Sequence, residues 1–364
     1  MSPSGTTVAV GLSGGVDSSV AAHLLIEQGY EVIGITMKIY DPSVTSLPAM
    51  RDACFGPHEE KDIESARDIC RMLRIPFYCV DLKQEYRSIV LEYFRHEYLG
   101  GRTPNPCIVC NRRIKFGLLI EKAWQSGICF DYFATGHYAR IDKLEKRFVL
   151  RKAVDLHKDQ TYFLYSLSQE QLSKTIFPLG DLTKSQVRRL AKTIGLPSAD
   201  RSESQDFIGG GKYQLLFSSQ EIMPGEIVDE HGNILGEHKG LIFYTVGQRK
   251  GLRIAAREPL YVIRIEAEKN RIVVGPRSRL FNRRMLVSKV NFISIDSLQE
   301  PIKATVKIRY KHEGAPATIQ PHNKEGVLVT FHSPQRAITP GQSAVFYSGD
   351  CVVGGGVITE VLED

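Results

Sequence analysis

The chain has 364 residues, of which 42% are hydrophobic and 24% are charged, and its formal net charge is +6. This ordinary globular composition excludes a fibrous or wholly disordered protein, and the length suits two or three domains. Seven cysteines are too few for a disulfide-stapled secreted protein, so a cytoplasmic location is predicted. There is no signal-peptide pattern and no apolar run near the ~18 residues that span a bilayer, so no membrane association is predicted.

The first half of the chain alternates strand and helix patterns. Strands are predicted at Thr7–Leu12, Glu31–Met37, Pro76–Leu82 and Phe130–Thr135, and helices at Ser18–Gln28, Lys61–Arg74, Gln84–Tyr98 and Ile114–Gln125. This alternation predicts βαβ units and a parallel sheet covered by helices on both faces. Ligands bind beyond the carboxyl ends of the strands in such sheets, so functional loops are expected after each strand.

The second half of the chain has a different pattern of predicted secondary structure. A helix is predicted over Thr183–Ile194, where Thr183 and Gln186 have the spacing of a capping box. Short alternating strands follow, with hairpins expected over 226–235 and 260–275. We therefore predict an α/β fold: a parallel-sheet nucleotide-binding domain with a helical extension, then a small β domain and a C-terminal β-barrel. The expected domain boundaries are 1–207, 208–280 and 281–364.

A glycine-rich segment lies between the first predicted strand and the first predicted helix. It consists of Gly11, Leu12, Ser13, Gly14, Gly15, Val16, Asp17 and Ser18, with Ser19 next. Glycines let backbone N–H groups turn inward, and a helix N-terminus adds partial positive charge, so the segment is suited to phosphate. Asp17 is a candidate ligand for Mg²⁺. The segment, here called the phosphate loop, lacks the Gly-Lys-Ser/Thr ending of γ-phosphate-hydrolysing ATPases.

The phosphate loop resembles the SGGxDS loop of the ATP-pyrophosphatase (PP-loop) superfamily. Later motifs resemble the tRNA-specific 2-thiouridylases within that superfamily, and they occur in that family's order. They are Thr103-Pro-Asn-Pro106, Cys110-Asn111, Ile114-Lys-Phe-Gly117, Ala134-Thr-Gly-His-Tyr-Ala-Arg140, Lys158-Asp-Gln160, Phe177-Pro-Leu-Gly180 and Gly247-Gln-Arg-Lys-Gly251. Together these motifs cover nearly the whole chain.

The resemblance implies an ATP-dependent sulfurtransferase acting on the wobble uridine of tRNA. The C2 oxygen is adenylated and then replaced by sulfur, which gives 2-thiouridine, AMP and pyrophosphate. ATP and Mg²⁺ are the implied cofactors, and the implied partners are tRNA and a cysteine desulfurase or another sulfur donor. By the same resemblance, Gly11 to Ser18 and Met37 hold the nucleotide, and Gly136 closes over it.

The resemblance also implies which residues face tRNA. These are Asn105, Pro106, Cys107, His137, Lys158, Asp159, Gln160, Arg309, Tyr310 and Gln342. Because a stacked base must be extruded for chemistry at C2, the α/β domain is expected to hold the flipped base while the barrel contacts backbone phosphates. The segment from Asp200 to Tyr213 contains three consecutive glycines and is expected to form a mobile lid.

The cysteines depart from the family pattern. Cys110 matches the family nucleophile, but Cys107 stands where the family has Asp, and Asp206 stands where the family has a persulfide-carrying cysteine. In one alternative, a persulfide on Cys107 or Cys110 is resolved as a disulfide by the other thiol. In the second, Cys54 joins this pair to hold a [4Fe–4S] cluster, which its position on a loop at the ligand end of the sheet favours. Asp206 is then an acid–base candidate.

Two other function classes stay open at this point. A PP-loop ligase of the lysidine type uses an amine nucleophile and needs no cysteine pair, so Cys107-Ile-Val-Cys110 argues against it. A non-catalytic RNA-binding protein would use the β-rich half and leave the phosphate loop idle. The other cysteines Cys70, Cys79 and Cys129 are expected in the core.

Overall fold

The computed structural model describes residues 5–43, 53–196, 206–208, 212–323 and 326–363. It divides into two compact units. The first comprises Met1–Val90, Cys107–Lys212 and Asp350–Val352, and the second comprises Leu91–Pro106, Tyr213–Gly349 and Val353–Asp364. The chain returns to the first unit at Cys107, so the segment that carries the candidate nucleophile lies at the start of this second part of the unit.

Nine strands of the first unit lie within the described residues. They are β1 (Thr7–Gly11), β2 (Glu31–Lys38), β3 (Ala53–Phe55), β4 (Phe77–Asp81), β5 (Tyr132–Thr135), β6 (Ala139–Leu144), β7 (Arg147–Lys152), β8 (Thr175–Ile176) and β9 (Asp206–Ile208). The helices of the chain are α1 (Val16–Glu27), α2 (Glu59–Leu73), α3 (Lys83–Tyr86), α4 (Glu92–Leu99), α5 (Pro106–Val109), α6 (Leu119–Gln125), α7 (Gln169–Ser173) and α8 (Lys184–Ile194). All but α4 lie wholly or mainly in the first unit.

The predicted parallel sheet is confirmed. Its five strands have the order β4-β2-β1-β5-β8, with β1 at the centre. Val8, Ala9 and Val10 of β1 are wholly buried, which is why this strand reads as a continuous apolar run. The chain passes from β1 to β2 and β4 on one side and returns to β5 on the other. The carboxyl end of β1 is therefore the switch point at which such sheets bind ligands.

Two predicted helices are longer or more irregular than their apolar periodicity suggests, because each includes a π-helical segment. Arg87–Leu91 joins α3 to α4, and Cys110–Leu118 joins α5 to α6. The second helical stretch begins at Pro106, eight residues before the predicted start at Ile114. Proline suits the first position of a helix, where its missing N–H costs nothing.

The first unit also contains strands that the sequence analysis missed. Strands β6 and β7 form an antiparallel hairpin, with Glu145 of the turn in the left-handed region at a φ of +51°. The exposed half of this hairpin is mostly charged, so it lacks the apolar alternation that marks a strand. Strands β3 and β9 form a separate two-stranded parallel sheet.

The second unit is mostly β structure, as predicted. Strands β10 (Gly225–Val228), β11 (Ile234–His238), β12 (Tyr261–Glu266) and β13 (Arg271–Gly275) form one sheet in the order β11-β10-β13-β12. The barrel strands are β14 (Phe281–Phe292), β15 (Ile302–Lys307), β16 (Ala315–His322), β17 (Gly326–Arg336), β18 (Ser343–Ser348) and β19 (Cys351–Leu362). Pairing of β14 with β19 closes these six into the predicted barrel. Its core includes the fully buried Met285, Val306 and Phe346.

Within the described ranges, no helix is both long and apolar enough to cross a membrane. All seven cysteines are free thiols. Cys70 is buried, as predicted, and its sulfur packs where a side chain on Gly34 would lie. The prediction that Cys79 and Cys129 are core residues was wrong, because both are exposed. Cys79 lies on β4, an edge strand of the sheet, and Cys129 lies in the loop between α6 and β5.

Candidate active site

The phosphate loop joins β1 to α1, and its serine hydroxyls bond within the loop. Ser18 Oγ accepts from the backbone N–H of Ser13 at 3.3 Å and lies 3.4 Å from Ser13 Oγ. Gly14 has a φ of +71°, a conformation that a side chain would strain. Ser19 Oγ donates to the Gly15 carbonyl at 2.7 Å and so belongs to the first turn of α1. The loop thus lies at the amino end of a twelve-residue helix, where anions are stabilised.

Gly136 and Met37 both lie at the end of the sheet that carries the phosphate loop. Met37 is half-buried near the carboxyl end of β2, which pairs with β1. Gly136 follows β5, and a Cβ there would lie 2.6 Å from the backbone nitrogen of Ser18 and 2.7 Å from the carbonyl carbon of Asp17. Only glycine therefore lets this position approach the loop so closely.

Asp17, the predicted Mg²⁺ ligand, is engaged by two side chains from other elements. Lys184 Nζ lies 2.7 Å and 2.8 Å from the two carboxylate oxygens. The Tyr138 hydroxyl donates to Asp17 Oδ1 at 2.9 Å. Oxygen donors of this kind, the Asp17 carboxylate and the loop hydroxyls, suit a hard cation such as Mg²⁺.

The Lys158-Asp159-Gln160 motif packs against the same site. Gln160 Oε1 accepts from the backbone N–H of Tyr138 at 2.9 Å. Asp159 is only 6% exposed, and its carboxylate accepts from the Ala153 N–H at 3.1 Å and from Thr161 Oγ1 at 2.8 Å. Lys158 is half-buried. Asp159 and Gln160 therefore hold the loop that supports Tyr138, in addition to any contact with RNA.

Cys107 and Cys110 lie on one helical stretch with a spacing that places both side chains on the same face. Cys107 belongs to α5, and Cys110 is the first residue of the π-helical segment. Gln171 Nε2 donates to the carbonyls of Arg112 and Phe116 at 2.8 Å each, which satisfies acceptors that the irregular turns present. Such segments occur frequently at functional sites, and apolar periodicity gave no sign of this one.

Both thiols are poorly acidic. Burial raises the pKa of Cys107 to about 12 and that of Cys110 to about 11, and the Lys115 ammonium lowers both. Charge on Cys54 raises the pKa of each thiol, and charge on Cys110 further raises that of Cys107. Both sulfurs are therefore held mainly in the protonated form at neutral pH.

Cys54 and Asp206 lie on paired strands. In the β3–β9 sheet, Ala53 is opposite Asp206 and Phe55 is opposite Ile208. The Phe55 ring is 1% exposed, and its centroid lies 6.2 Å from that of Phe207. The backbone of Asp206 therefore runs beside the strand that carries Cys54. Most of the predicted lid, Asp200–Tyr213, lies outside the described residues.

Cys54, Cys107 and Cys110 are the candidate ligands of a metal cluster. Cys54 is exposed as a residue, yet surrounding protein atoms desolvate its sulfur and raise the pKa of its thiol. Cys54, Cys107 and Cys110 interact electrostatically and so lie in one region. Nevertheless, in the described part of the chain, no three His, Cys, Asp or Glu side chains are arranged to hold a metal ion. The described side chains thus offer no single-ion site, whereas a [4Fe–4S] cluster binds each thiolate at a separate iron and needs no such common position.

His137 follows the glycine that approaches the phosphate loop, and it is near the same ammonium that affects the thiols. It directly follows Gly136, and its Nδ1 shares a hydrogen bond of 2.7 Å with Thr135 Oγ1. Burial and the nearby charge of Lys115 hold the pKa of His137 well below its usual value, so the imidazole is neutral at pH 7. Lys115 also lowers the pKa of Cys110, so its ammonium lies near both groups.

The remaining predicted tRNA-facing residues lie in the second unit. Arg309 is half-buried and its Nη1 donates to the Arg336 carbonyl at 3.2 Å, while Lys307 Nζ lies 5.9 Å from the centre of the Tyr310 ring. Gln342 Nε2 donates to the Thr103 carbonyl at 2.9 Å. Gln342 thus binds the segment that leads through Asn105 and Pro106 to Cys107.

Three residues near the phosphate loop or the cysteine pair were missed as functional candidates: Lys115, Tyr138 and Lys184. Lys115 and Tyr138 lie inside motifs that were recognised, but neither was assigned a role. Lys184 had a local signal, since a lysine in the first turn of a helix opposes the helix dipole. Nothing in the sequence indicated that its partner is Asp17, 167 positions away.

Three family models match the chain in succession. Residues 6–209 match the tRNA methyl transferase HUP domain, residues 215–276 the tRNA methyl transferase PRC-barrel domain, and residues 282–358 the aminomethyltransferase β-barrel domain. The first of these alone spans more than half of the chain.

Curated relatives match over almost the whole length. The tRNA-specific 2-thiouridylase MnmA 1 of Caldanaerobacter subterraneus subsp. tengcongensis is 50% identical over 359 residues, covering 96% of this chain and 97% of the relative. The MnmA of Acetivibrio thermocellus is 48% identical, covering 96% and 98%, and that of Endomicrobium trichonymphae is 50% identical, covering 96% and 98%. This chain belongs to the tRNA-specific 2-thiouridylase family of the PP-loop superfamily.

Proposed function

We propose that this protein is a tRNA 2-thiouridine synthase, which replaces the C2 oxygen of a wobble uridine with sulfur at the expense of ATP. The observation that carries the proposal is that Gly136 and His137 are adjacent in the chain and have different neighbours. Gly136 abuts the phosphate loop, and His137 shares the ammonium of Lys115 with Cys110. The candidate ATP site and the candidate sulfur nucleophile are therefore both near these two consecutive residues.

ATP is held by the phosphate loop, with Gly11 to Ser18 around the phosphates and Met37 at the end of the neighbouring strand. Asp17 is the carboxylate that would bind Mg²⁺, which neutralises phosphate charge when bound. The backbone N–H groups and the amino end of α1 stabilise the triphosphate. Bound here, ATP would present its α-phosphorus to a base brought beside His137.

The first chemical step activates the uracil carbonyl. The C2 oxygen forms a bond to the α-phosphorus, the bond from that phosphorus to the bridging oxygen breaks, and pyrophosphate leaves. The proton on N3 of the ring is lost in this step to a base or to solvent. Adenylation turns a poor leaving group into the oxygen of AMP.

Sulfur then enters through the cysteine pair. A persulfide-bearing donor, such as a cysteine desulfurase, passes its outer sulfur to Cys110. That sulfur attacks C2, and AMP leaves with the former C2 oxygen. The Cys107 thiolate attacks the sulfur of Cys110, the sulfur–sulfur bond breaks, and 2-thiouridine departs and regains its N3 proton. The resulting Cys107–Cys110 disulfide needs two electrons from a dithiol reductant before the next turnover.

The cluster remains the alternative for sulfur delivery, with Cys54, Cys107 and Cys110 as its ligands. Three thiolate ligands would leave one iron open, and the chemistry that a bound cluster would supply there is the carriage of a hydrosulfide. Asp206 lies beside the Cys54 strand and is proposed as a further acid–base group at the base. Anaerobic purification followed by iron and sulfide analysis separates the two routes. Iron at four per chain with Cys54-dependent activity would overturn the persulfide route.

RNA binding is proposed to be divided between domain 1–207, which holds the flipped base, and the barrel domain 281–364, with the small β domain 208–280 between them in the chain. The barrel carries Lys307, Arg309 and Lys311 on and after β15, where they can bind backbone phosphates, and such binding weakens as salt is raised. Asn105, Pro106, His137, Lys158 and Tyr310 are proposed to contact RNA as well. A cytoplasmic location fits the seven free thiols.

The test is conversion of an unmodified tRNA by the full-length protein with Mg²⁺, ATP, a persulfide donor and a dithiol. Nucleoside mass spectrometry should find 2-thiouridine with the wild type and none with Cys110→Ser. Cys351→Ser, which changes a thiol far from the site in sequence, should keep full activity. Lysine-dependent AMP release would support a lysidine-type ligase, and tRNA binding without AMP release would support a pure RNA-binding protein. Either result would overturn the proposal.

A further inference from the structure

Lys184 is buried where the electrostatics of a helix disfavour it. It is the first residue of α8, directly after the N-cap Thr183, and the residue is only 8% exposed. The amino end of a helix carries partial positive charge, so a lysine there is repelled by the helix itself. Burial adds a large desolvation cost unless an anion is close. Local rules of this kind are broken mainly at functional sites.

The anion that compensates this cost is Asp17 of the phosphate loop. The Lys184 ammonium contacts both carboxylate oxygens, at 2.7 Å and 2.8 Å. Asp17 lies in the first turn of α1, where the helix dipole already stabilises a carboxylate, and it also accepts from Tyr138. Lys184 thus depends on Asp17 more than Asp17 depends on Lys184.

The scaffold around Lys184 fixes the point at which its ammonium arrives. Thr183 and Gln186 form a capping box at the start of α8, and the backbone N–H of Lys184 donates to Asp155 Oδ2 at 3.0 Å. Helices α1 and α8 share one apolar cluster that includes Val20 and Val187. The side chain therefore extends into the loop from a rigid base.

We propose that Lys184 is a phosphate-binding residue of the ATP site, held by Asp17 until nucleotide arrives. The phosphate loop lacks the lysine that ends the loops of γ-phosphate-hydrolysing ATPases, and α8 supplies a cation to the same place. When Mg²⁺ and ATP bind, Asp17 turns to the cation and Lys184 pairs with the triphosphate. No covalent bond changes. The inference rests on the proposed function only in taking ATP as the nucleotide.

The experiment is calorimetric titration of the full-length protein with Mg²⁺ and α,β-methylene ATP, and separately with adenosine. Lys184→Met should weaken binding of the triphosphate at least tenfold and leave adenosine binding unchanged, and Lys184→Arg should retain most of the affinity. The control Lys192→Met, an exposed lysine on the same helix, should bind both as the wild type does. Wild-type affinity for the triphosphate in Lys184→Met would overturn the inference.

A second comparison covers the case in which Lys184→Met is too unstable to study. Asp17→Asn frees the ammonium, and without Mg²⁺ it should bind the triphosphate more tightly than the wild type. Adding Lys184→Met removes both charges and should abolish that gain. Equal affinities of the single and double variants would overturn the inference. Failure of the wild type to bind the analogue would instead contradict the proposed function.

Discussion

Gln160 hydrogen-bonds the backbone of Tyr138 twice. Its side-chain Oε1 accepts from the Tyr138 N–H at 2.9 Å, and its own backbone N–H donates to the Tyr138 carbonyl at 2.9 Å. Tyr138 in turn bonds Asp17 of the phosphate loop. A residue predicted from its motif to face tRNA is thus joined, through one tyrosine, to the ATP site.

Gln160→Ala should therefore weaken ATP binding by roughly tenfold, since loss of a hydrogen bond of this kind costs about 1 to 1.5 kcal/mol. The measurement is the Kd of Mg²⁺–ATP and of tRNA for the same variant. Gln169→Ala is a matched control, because Gln169 makes a similar two-way contact with Phe148 away from the loop. An effect of Gln160→Ala on tRNA alone would contradict this prediction.

Gly136→Ala should abolish ATP binding while the protein still folds. The added methyl group would lie 2.6 Å from the Ser18 nitrogen, so the phosphate loop must move. Gly236→Ala is the control, because a Cβ there meets only Ile254 at the ordinary distance of 3.8 Å. Circular dichroism and nucleotide titration of both variants check the prediction, and a Gly136→Ala protein with normal affinity would refute it.

The pH dependence of alkylation should show that Cys107 and Cys110 are both poorly acidic. Thiol pKa values of about 12 and about 11 leave about one thiolate in a thousand or fewer at pH 8, so both thiols should react slowly there, with rates that rise tenfold per pH unit. Lys115→Met should shift both profiles to higher pH, because the ammonium lowers both pKa values. Mass-spectrometric mapping of iodoacetamide adducts measures both sites, and rapid alkylation of either thiol at pH 7 would contradict the prediction.

Asp159→Ala should lower the free energy of unfolding by roughly 2 kcal/mol, because the buried N–H of Ala153 and the hydroxyl of Thr161 lose their acceptor. Urea denaturation of the variant and the wild type measures this change in the free energy of unfolding. Asp181→Ala, at a carboxylate 81% exposed, should change stability little. If Asp159→Ala leaves stability unchanged and reduces only tRNA affinity, the carboxylate serves RNA and the structural role is wrong.

Apolar periodicity predicted the parallel sheet and the barrel, and a glycine-rich signature predicted the phosphate loop. The resemblance to the 2-thiouridylase motifs, rather than any pattern in the chain itself, selected Cys107, Cys110, Gly136 and His137 for the site. The pair Asp17–Lys184 was not predictable, since contact between distant residues depends on packing of α8 against α1. The π-helical start at Cys110 was hidden for a similar reason, because Gln171 supports it from another element.

The central claim is that the C2 oxygen of the wobble uridine leaves as part of AMP. It is tested most directly with tRNA that carries ¹⁸O at C2 of that uridine, incubated with the protein, Mg²⁺, ATP and a persulfide donor. Mass spectrometry of the products should find the label in the phosphate of AMP, with one AMP formed per 2-thiouridine. Label in water or pyrophosphate, or AMP without label, would contradict the account.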